Sequence, residues 1–173
     1  MTFQPVVVGT GLVGWQFLKS TATSQREAFE ASPLLARDNE YFAQNIASVT
    51  SAEELVADRR LLGVALGAFG LQDDIDNKFF IQKILAEGTT DPDALANKLT
   101  DERYKAMAKR FGFGSLLGPA TATPGFAQDI VSRYRAQEFE VAIGAQDDSL
   151  RLALNFERSL GEFNSSSPDA AWF

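Results

Sequence analysis

The sequence predicts an all-α fold, a single multi-helix domain of about seven to eight helices with short connections. Three observations lead to this class. Apolar residues recur with a period close to 3.6 throughout the chain after residue 10. In the same part of the chain no segment alternates with period two, and none is a Val-, Ile- and Thr-rich run between turns. Most of the predicted helices also begin at acidic or hydroxyl residues, and half of them end at glycine.

The central helix is predicted near residues 51–69, and the other helices are expected to pack around it. Ser51 and Glu54 have the spacing of a capping box, in which the hydroxyl accepts from a first-turn amide and the carboxylate reaches back to the cap amide. Gly70 and Leu71 have the positions of a left-handed C-terminal cap and its apolar contact. Because the second half of this helix carries no charge, we expect it in the middle of the core. Its apolar stripe is Leu55, Leu62, Leu66 and Phe69.

Two helices are predicted before the central one. Residues 1–10 are expected to be irregular or weakly extended, and the first helix runs from about Leu12 to Ala31. Ser32 and Pro33 start the second helix, because a cap residue followed by proline is typical of a first turn. The stripes of these two helices are Trp15, Leu18, Ala22 and Phe29, and then Leu35, Phe42, Ile46 and Val49.

Five further helices are predicted after the central one. They cover residues 73–88, 91–99, 100–112, 123–144 and 146–163. Residues 114–125 are rich in Gly, Pro and Thr and form a long loop. The last two helices have the stripes Phe126, Ile130, Tyr134 and Val141, and Leu152, Phe156, Leu160 and Phe163. Residues 1–163 are therefore predicted to be one helical domain, and residues 164–173 a polar tail.

Composition removes several classes of function. The net charge is −7, which disfavours nucleic-acid binding because phosphate contacts need clustered Lys and Arg. The chain has no Cys, so it cannot form disulfides or use a thiolate nucleophile. It has no His, so it has no imidazole to act as a general base or as a metal ligand. The amino terminus has no secretory signal pattern. The uncharged run at residues 61–71 is shorter than the about 20 residues that span a bilayer. We therefore expect a cytoplasmic protein without membrane insertion.

Gly9, Gly11 and Gly14 form a GxGxxG pattern after three valines. In dinucleotide-binding proteins such glycines let a pyrophosphate approach the amino terminus of a helix. That site also needs a βαβ unit and an acidic residue about 20 positions further on, at the end of a second strand. Here the next forty residues have helical periodicity. We expect these glycines to be a flexible lead into the first helix, with no cofactor bound.

The acidic segment Asp73-Asp74-Ile75-Asp76 could hold Mg²⁺ or Ca²⁺ through carboxylate oxygens. Lys78 and Leu85 occupy positions where a calcium-binding loop needs ligands. Acidic residues also recur at the predicted helix starts, where they cap amides and complement the helix dipole. We therefore expect capping, with no metal-binding and no catalytic residues in the chain.

Gly63 and Gly67 form a GxxxG pattern inside the central helix. Glycine costs about 0.8–1 kcal/mol relative to alanine in a helix interior. Two such glycines favour the close approach of another backbone, either from the same chain or from a second subunit.

Five segments together resemble an uncharacterised family of helical alphaproteobacterial proteins, a domain of unknown function whose genes often lie among flagellar genes. The segments are GWQFL at 14–18, DNEYFAQNI at 38–46, LVADRRLLGVALGAFGL at 55–71, RYKAMAKRFGFG at 103–114 and FEVAIGAQDDSLRLALNFERSL at 139–160. The resemblance implies a role in flagellar assembly or function through gene association, and it supplies no catalytic motif. Family members tend to continue beyond a tryptophan like Trp172, which implies a shortened chain here.

Two functions follow as hypotheses. The first is a non-enzymatic helical protein that binds other proteins, which the resemblance places among flagellar components. The second is a nucleotide-binding or metal-dependent enzyme that uses Gly9–Gly14 or Asp73–Asp76. The missing His and Cys and the lack of a recognisable site favour the first hypothesis.

Overall fold

The computed structural model of the protein describes the backbone of residues 3–166 and the side chains of residues 3–161. This part of the chain is all-α, as predicted, and contains nine α-helices and no β-strand. The helices are α1 Gly11–Glu30, α2 Pro33–Asn45, α3 Ala52–Ala57, α4 Arg59–Ala68, α5 Lys78–Glu87, α6 Leu95–Lys98, α7 Glu102–Phe111, α8 Phe126–Gly144 and α9 Asp148–Ser166. None of the described helices combines the length and the apolar character that crossing a bilayer requires. Most of the predicted tail, residues 167–173, lies outside the described residues.

The chain forms two compact units, one made by residues 33–137 and the other by the described parts of residues 1–32 and 138–173. In the first of these, the unit of residues 33–137, α4 supplies the centre of the core. Its side chains from Leu61 to Ala68 are buried apart from the partly buried Gly63. They pack with α2, α3, α5, α7 and the first turns of α8. The expectation that an uncharged helix lies in the middle of the core is confirmed.

The other unit packs α1 and α9 around the carboxyl-terminal half of α8. Leu18 of α1 is fully buried, and Phe29 contacts Phe139 edge-on with 5.9 Å between the ring centres. The buried cluster of this unit is Leu18, Phe139, Ile143, Leu150 and Leu154.

The structure divides the predicted central helix in two at Asp58, so the prediction of one continuous helix was wrong. Asp58 has extended backbone angles of φ −94° and ψ 103°, which end α3. Its carboxylate accepts hydrogen bonds from the amides of Arg60 and Leu61 at 2.9 and 3.1 Å and so caps α4. An aspartate competes well with the helical backbone for these amides. At the start of the segment the Ser51 hydroxyl accepts from the Glu54 amide, as predicted, whereas the Glu54 carboxylate accepts from the amide and hydroxyl of Thr50, one residue before the cap. The predicted end is confirmed, because Gly70 has a φ of 69°.

All five predicted helix starts after the central helix lie ahead of the observed ones, and three of them show why. Asp73 and Asp74 lie in a 3-10 turn, and α5 begins four residues later at Lys78. Asp91 accepts from the Asp93 amide in a turn that precedes α6. Asp101 caps α7, which begins at Glu102, two residues after the predicted start at residue 100. Asp91 satisfies a local amide ahead of the helix, and Asp74 accepts from side chains, so the position of an acidic residue does not fix the first helical residue.

The predicted stripes of α8 and α9 were partly wrong about which residues face the core. Val141 is exposed, whereas Phe139 and Ile143 are buried. In α9 the predicted Leu152, Phe156 and Leu160 are exposed, and Leu150 and Leu154 are buried instead. Phe163 lies beyond the described side chains. Each of these helices carries two apolar sets at helical spacing, and periodicity alone does not say which set is inside.

A close contact between two backbones fixes the loop that follows α7. Gly88 and Gly114 touch, and a Cβ atom on Gly114 would lie 2.6 Å from the carbonyl carbon and oxygen of Glu87. The site therefore accepts only glycine at position 114. The predicted close approach at Gly63 is not found among the described residues, because a Cβ atom there would meet no atom within 4 Å.

Replacing Asp58 by alanine should lower the free energy of unfolding by about 1–2 kcal/mol at neutral pH, because α4 loses its cap. Urea denaturation of both proteins measures this difference. Burial raises the pKa of Asp58, but the hydrogen bonds from Tyr41 and from the two capped amides outweigh it and hold the pKa below its ordinary value. A lowered folded-state pKa stabilises the fold above the unfolded-state value, and this contribution is lost as the pH falls through the folded-state pKa. The stability gap between wild type and D58A should therefore shrink in acid. An equal gap at about pH 2 and at neutral pH would contradict the assignment.

Glycine-to-alanine substitutions at two positions should act in opposite directions. Gly114→Ala forces the backbone away from Glu87 and should destabilise the protein by about 1–3 kcal/mol. Gly63→Ala adds a methyl group in open space within α4 and should stabilise it by up to about 1 kcal/mol. Urea denaturation of both variants checks the pair. Equal effects of the two changes would contradict the close backbone contact at Gly114.

Candidate interaction site

The three glycines of the GxGxxG pattern build a tight turn that leads into α1. Gly9 and Gly11 have φ values of 86° and 56°, which favour glycine. A Cβ atom on Gly14 would lie 2.7 Å from the Gly9 carbonyl oxygen, so the chain folds back onto the first turn of the helix. No strand precedes or follows this turn within residues 3–166, so the βαβ unit of a dinucleotide site is absent from the described chain.

Two of the acidic residues at 73–76, Asp74 and Asp76, are engaged by side chains of the same unit. Asp74 accepts from the Tyr104 hydroxyl at 2.5 Å and from the Asn77 amide group at 2.7 Å. Asp76 pairs with Arg59 at 2.7 Å. Among the described residues no three Asp or Glu side chains gather closely enough to hold a metal ion. The arrangement ties the 3-10 turn to α7 and to α4.

Tyr104 has the most strongly shifted pKa at this junction. The hydrogen bond to Asp74, supported by burial, raises the pKa of the phenol to about 12. The phenol is therefore protonated at neutral pH and acts as a hydrogen-bond donor. Next to it, Arg103 donates to the Gly70 carbonyl oxygen at 2.5 Å and pairs with Asp101. These bonds hold the end of α4 against the start of α7, which is a structural role.

A buried acidic residue in the other unit is paired in the same way. The side chain of Glu140 is almost fully buried in α8. It accepts from Arg158 of α9 at 2.7 Å and from the Asn155 amide group at 3.3 Å. A buried carboxylate with a cationic partner and a second donor joins the two helices.

The exposed face of α9 is the clearest candidate for an interaction site. The exposed fractions of Leu152, Phe156 and Leu160 are 58%, 66% and 45%. These residues are four apart and therefore lie on one side of the helix. We call them the outer stripe. The opposite side of the same helix buries Leu150 and Leu154 in the core. An apolar stripe outside the helix's own core is typical of helices that bind a partner.

A second exposed apolar feature lies in the loop after α7. Leu116 and Leu117 are almost completely exposed, between turns that Gly112 and Gly118 make with positive φ values. The Thr121 hydroxyl donates to the Val49 carbonyl oxygen at 2.7 Å and secures the end of this loop. These two leucines are adjacent in sequence and form a smaller surface than the outer stripe.

Sequence reasoning missed the residues that hold the amino-terminal segment. Gln25 of α1 is buried and makes hydrogen bonds to both the amide and the carbonyl oxygen of Val6. A usable signal existed, because Gln25 is seven residues after Leu18 and so lies on the buried face of α1. Gln146, which binds the backbone of Pro5 and Val7, carries no comparable signal.

Comparison with known proteins shows the family to which the chain belongs. Residues 68–168 match the family described as protein of unknown function (DUF1217), and the chain belongs to this family. The fold is similar to the crystal structure of an Agrobacterium tumefaciens protein with a TM-score of 0.78 and 35% sequence identity, covering 90% of this chain and 68% of that one. No curated protein matches the chain. The resemblance to a domain of unknown function is confirmed.

Replacing Tyr104 by phenylalanine should lower the free energy of unfolding by about 1–2 kcal/mol at neutral pH, because Asp74 loses a donor. The raised pKa makes this contribution fully present below the unfolded-state value near 10, and it is lost as the pH rises through about 12. Urea denaturation of both proteins between about pH 8 and pH 12 should show the gap closing. A gap that stays constant over this range would contradict the role of the phenol as donor.

Proposed function

We propose that this protein is a non-enzymatic cytoplasmic protein that binds other proteins through the outer stripe of α9. The observation that carries the proposal is the position of Leu152, Phe156 and Leu160 on the side of α9 opposite its core contacts. A helix or groove with matching apolar side chains would bury these residues and release the water around them.

We further propose that the partners belong to the flagellum. This part is supported by the resemblance of five segments to a family whose genes often lie among flagellar genes. An acidic chain without His or Cys is compatible with a binding role. The hypothesis of a nucleotide- or metal-dependent enzyme draws no support from the turn at Gly9–Gly14, or from the segment 73–76, in which Asp74 and Asp76 bond to neighbouring side chains. A thermal-shift screen with nucleotides and divalent ions tests that hypothesis, since a true ligand raises the melting temperature.

The test compares two leucines with the same exposed fraction of 58%, Leu152 in the outer stripe and Leu34 in α2. Both Leu152→Glu and Leu34→Glu should change the free energy of unfolding by no more than about 0.5 kcal/mol, because both side chains are on the surface. We expect a deletion strain to lose swimming or filaments. Wild type and L34E should restore them, and L152E should not.

Swimming assays and filament staining separate the two parts of the proposal. Normal swimming and normal filaments in the deletion strain would contradict the flagellar role. Full complementation by L152E, with L152E folded as judged by circular dichroism, would contradict the outer stripe as the binding surface. Co-purification that recovers flagellar components with wild type and not with L152E would support both parts.

A further inference from the structure

The amino-terminal segment, residues 3–8, lies against its unit in the manner of a bound peptide. We call this segment the strap. The side chains alternate along it: Pro5 is buried, Val6 is exposed, Val7 is half-buried against the cluster around Leu18, and Val8 is exposed. Such alternation is typical of an extended backbone that lies on a surface. The strap therefore occupies a site that α1 and the turn before α9 provide.

Two glutamine side chains hold the backbone of the strap. The Gln25 carbonyl oxygen accepts from the Val6 amide at 2.6 Å, and its amide group donates to the Val6 carbonyl oxygen at 2.9 Å. The Gln146 carbonyl oxygen accepts from the Val7 amide at 3.2 Å, and its amide group donates to the Pro5 carbonyl oxygen. Each glutamine thus bonds to one backbone donor and one backbone acceptor, as a neighbouring strand would.

The Gln25 side chain is held on α1 by a further hydrogen bond, and the strap borders a groove. The Gln25 amide group also donates to the Thr21 hydroxyl at 2.7 Å, which fixes its orientation on α1. The exposed side of the strap borders an apolar groove of about 360 Å³. The groove is lined by Phe3, Val6, Phe17, Thr21, Ser24, Gln25 and Ala28.

The turn that joins the strap to α1 is the hinge of this arrangement. It closes only because Gly9 and Gly11 have positive φ values and because Gly14 leaves room for the Gly9 carbonyl oxygen. Most strap side chains remain exposed, so little apolar burial opposes its release. An opened hinge would remove the tight turn and leave every bond of the docking site available.

We propose that the strap is exchangeable and that the site binds the strap of a second copy of this chain, which links the two copies. A second copy offers the same buried proline and half-buried valine and the same backbone groups, so it makes identical contacts. The tether to α1 gives the chain's own strap an effective concentration in the millimolar range. Exchange is therefore suppressed in dilute solution and favoured where copies are crowded or where the hinge is strained.

The first test uses a synthetic peptide of residues 3–9 with a carboxyl-terminal fluorophore, and fluorescence anisotropy with the full chain. Val6→Pro removes the amide that donates to Gln25 and should weaken the protein's own strap. We expect V6P to bind the peptide at least about tenfold more tightly than wild type does. Val8→Pro introduces the same ring at an exposed position whose amide has no bond among the described residues, and it should behave as wild type.

Two further arms identify the contacts. In the V6P background, Gln25→Ala should weaken peptide binding by about tenfold. A peptide with aspartate in place of Pro5 and Val7 should not bind. Equal binding by V6P and wild type, or unchanged binding after Q25A, would overturn the proposal. Equal binding of the aspartate peptide would show that the site accepts any extended backbone, and it would also overturn the assignment to a second copy.

The second test strains the hinge and keeps the strap intact, so it does not depend on the folding of V6P. Gly14→Ala places a methyl group against the Gly9 carbonyl oxygen and should favour the opened turn. We expect G14A to form dimers at micromolar concentration in light scattering, and wild type to stay monomeric there. Gly161→Ala, where a Cβ atom would meet none of the described atoms within 4 Å, is the matched control. A monomeric G14A that binds the peptide no better than wild type would overturn the proposal.

Discussion

The unit of residues 33–137 depends on the burial of α4. The residues of this helix from Leu61 to Ala68 are all uncharged, and nearly all of them are buried. After its first turn, α4 has no charged residue that would keep one face of the helix in water. The neighbouring helices must therefore cover it on most sides. Its ends are therefore fixed by polar groups outside the apolar stretch. Asp58 caps the start, and Arg103 binds the carbonyl oxygen of Gly70 just after the end. The packing of α2, α3, α5 and α7 around α4 follows from this one requirement.

The features that the sequence predicted correctly are those set by neighbouring residues. Ser51 and Glu54 are three apart, and Gly70 directly follows the last turn of α4, so local chemistry decides their roles. Asp58 shows where such reasoning fails. Its stripe neighbours continue with helical spacing across the break, while its side chain captures two amides and receives the Tyr41 hydroxyl. That tyrosine is 17 residues away, and no local pattern contains it.

The two candidate surfaces were harder to predict for different physical reasons. The leucines and phenylalanine of the outer stripe were recognised as a helical stripe, but α9 carries a second set at Leu150 and Leu154, and only tertiary packing selects the inner one. The strap depends on hydrogen bonds between residues that are far apart in the chain. Val6 and Gln25 are separated by 19 positions, and Val7 and Gln146 by 139. Its glycines were predicted to be a flexible lead into the first helix, and the segment that their turn positions was not visible in the sequence.

The outer stripe and the strap represent two kinds of recognition within one unit. The outer stripe offers side chains, so its choice of partner depends on how apolar surfaces fit together. The strap site offers mainly amide groups that bind a backbone, and it distinguishes partners only through the positions of Pro5 and Val7. Substitutions on the outer stripe leave the bonds of Gln25 and Gln146 in place, and substitutions in the strap leave the outer stripe unchanged. As proposed, this unit carries two separable binding activities, one that recruits a partner and one that joins copies of the chain.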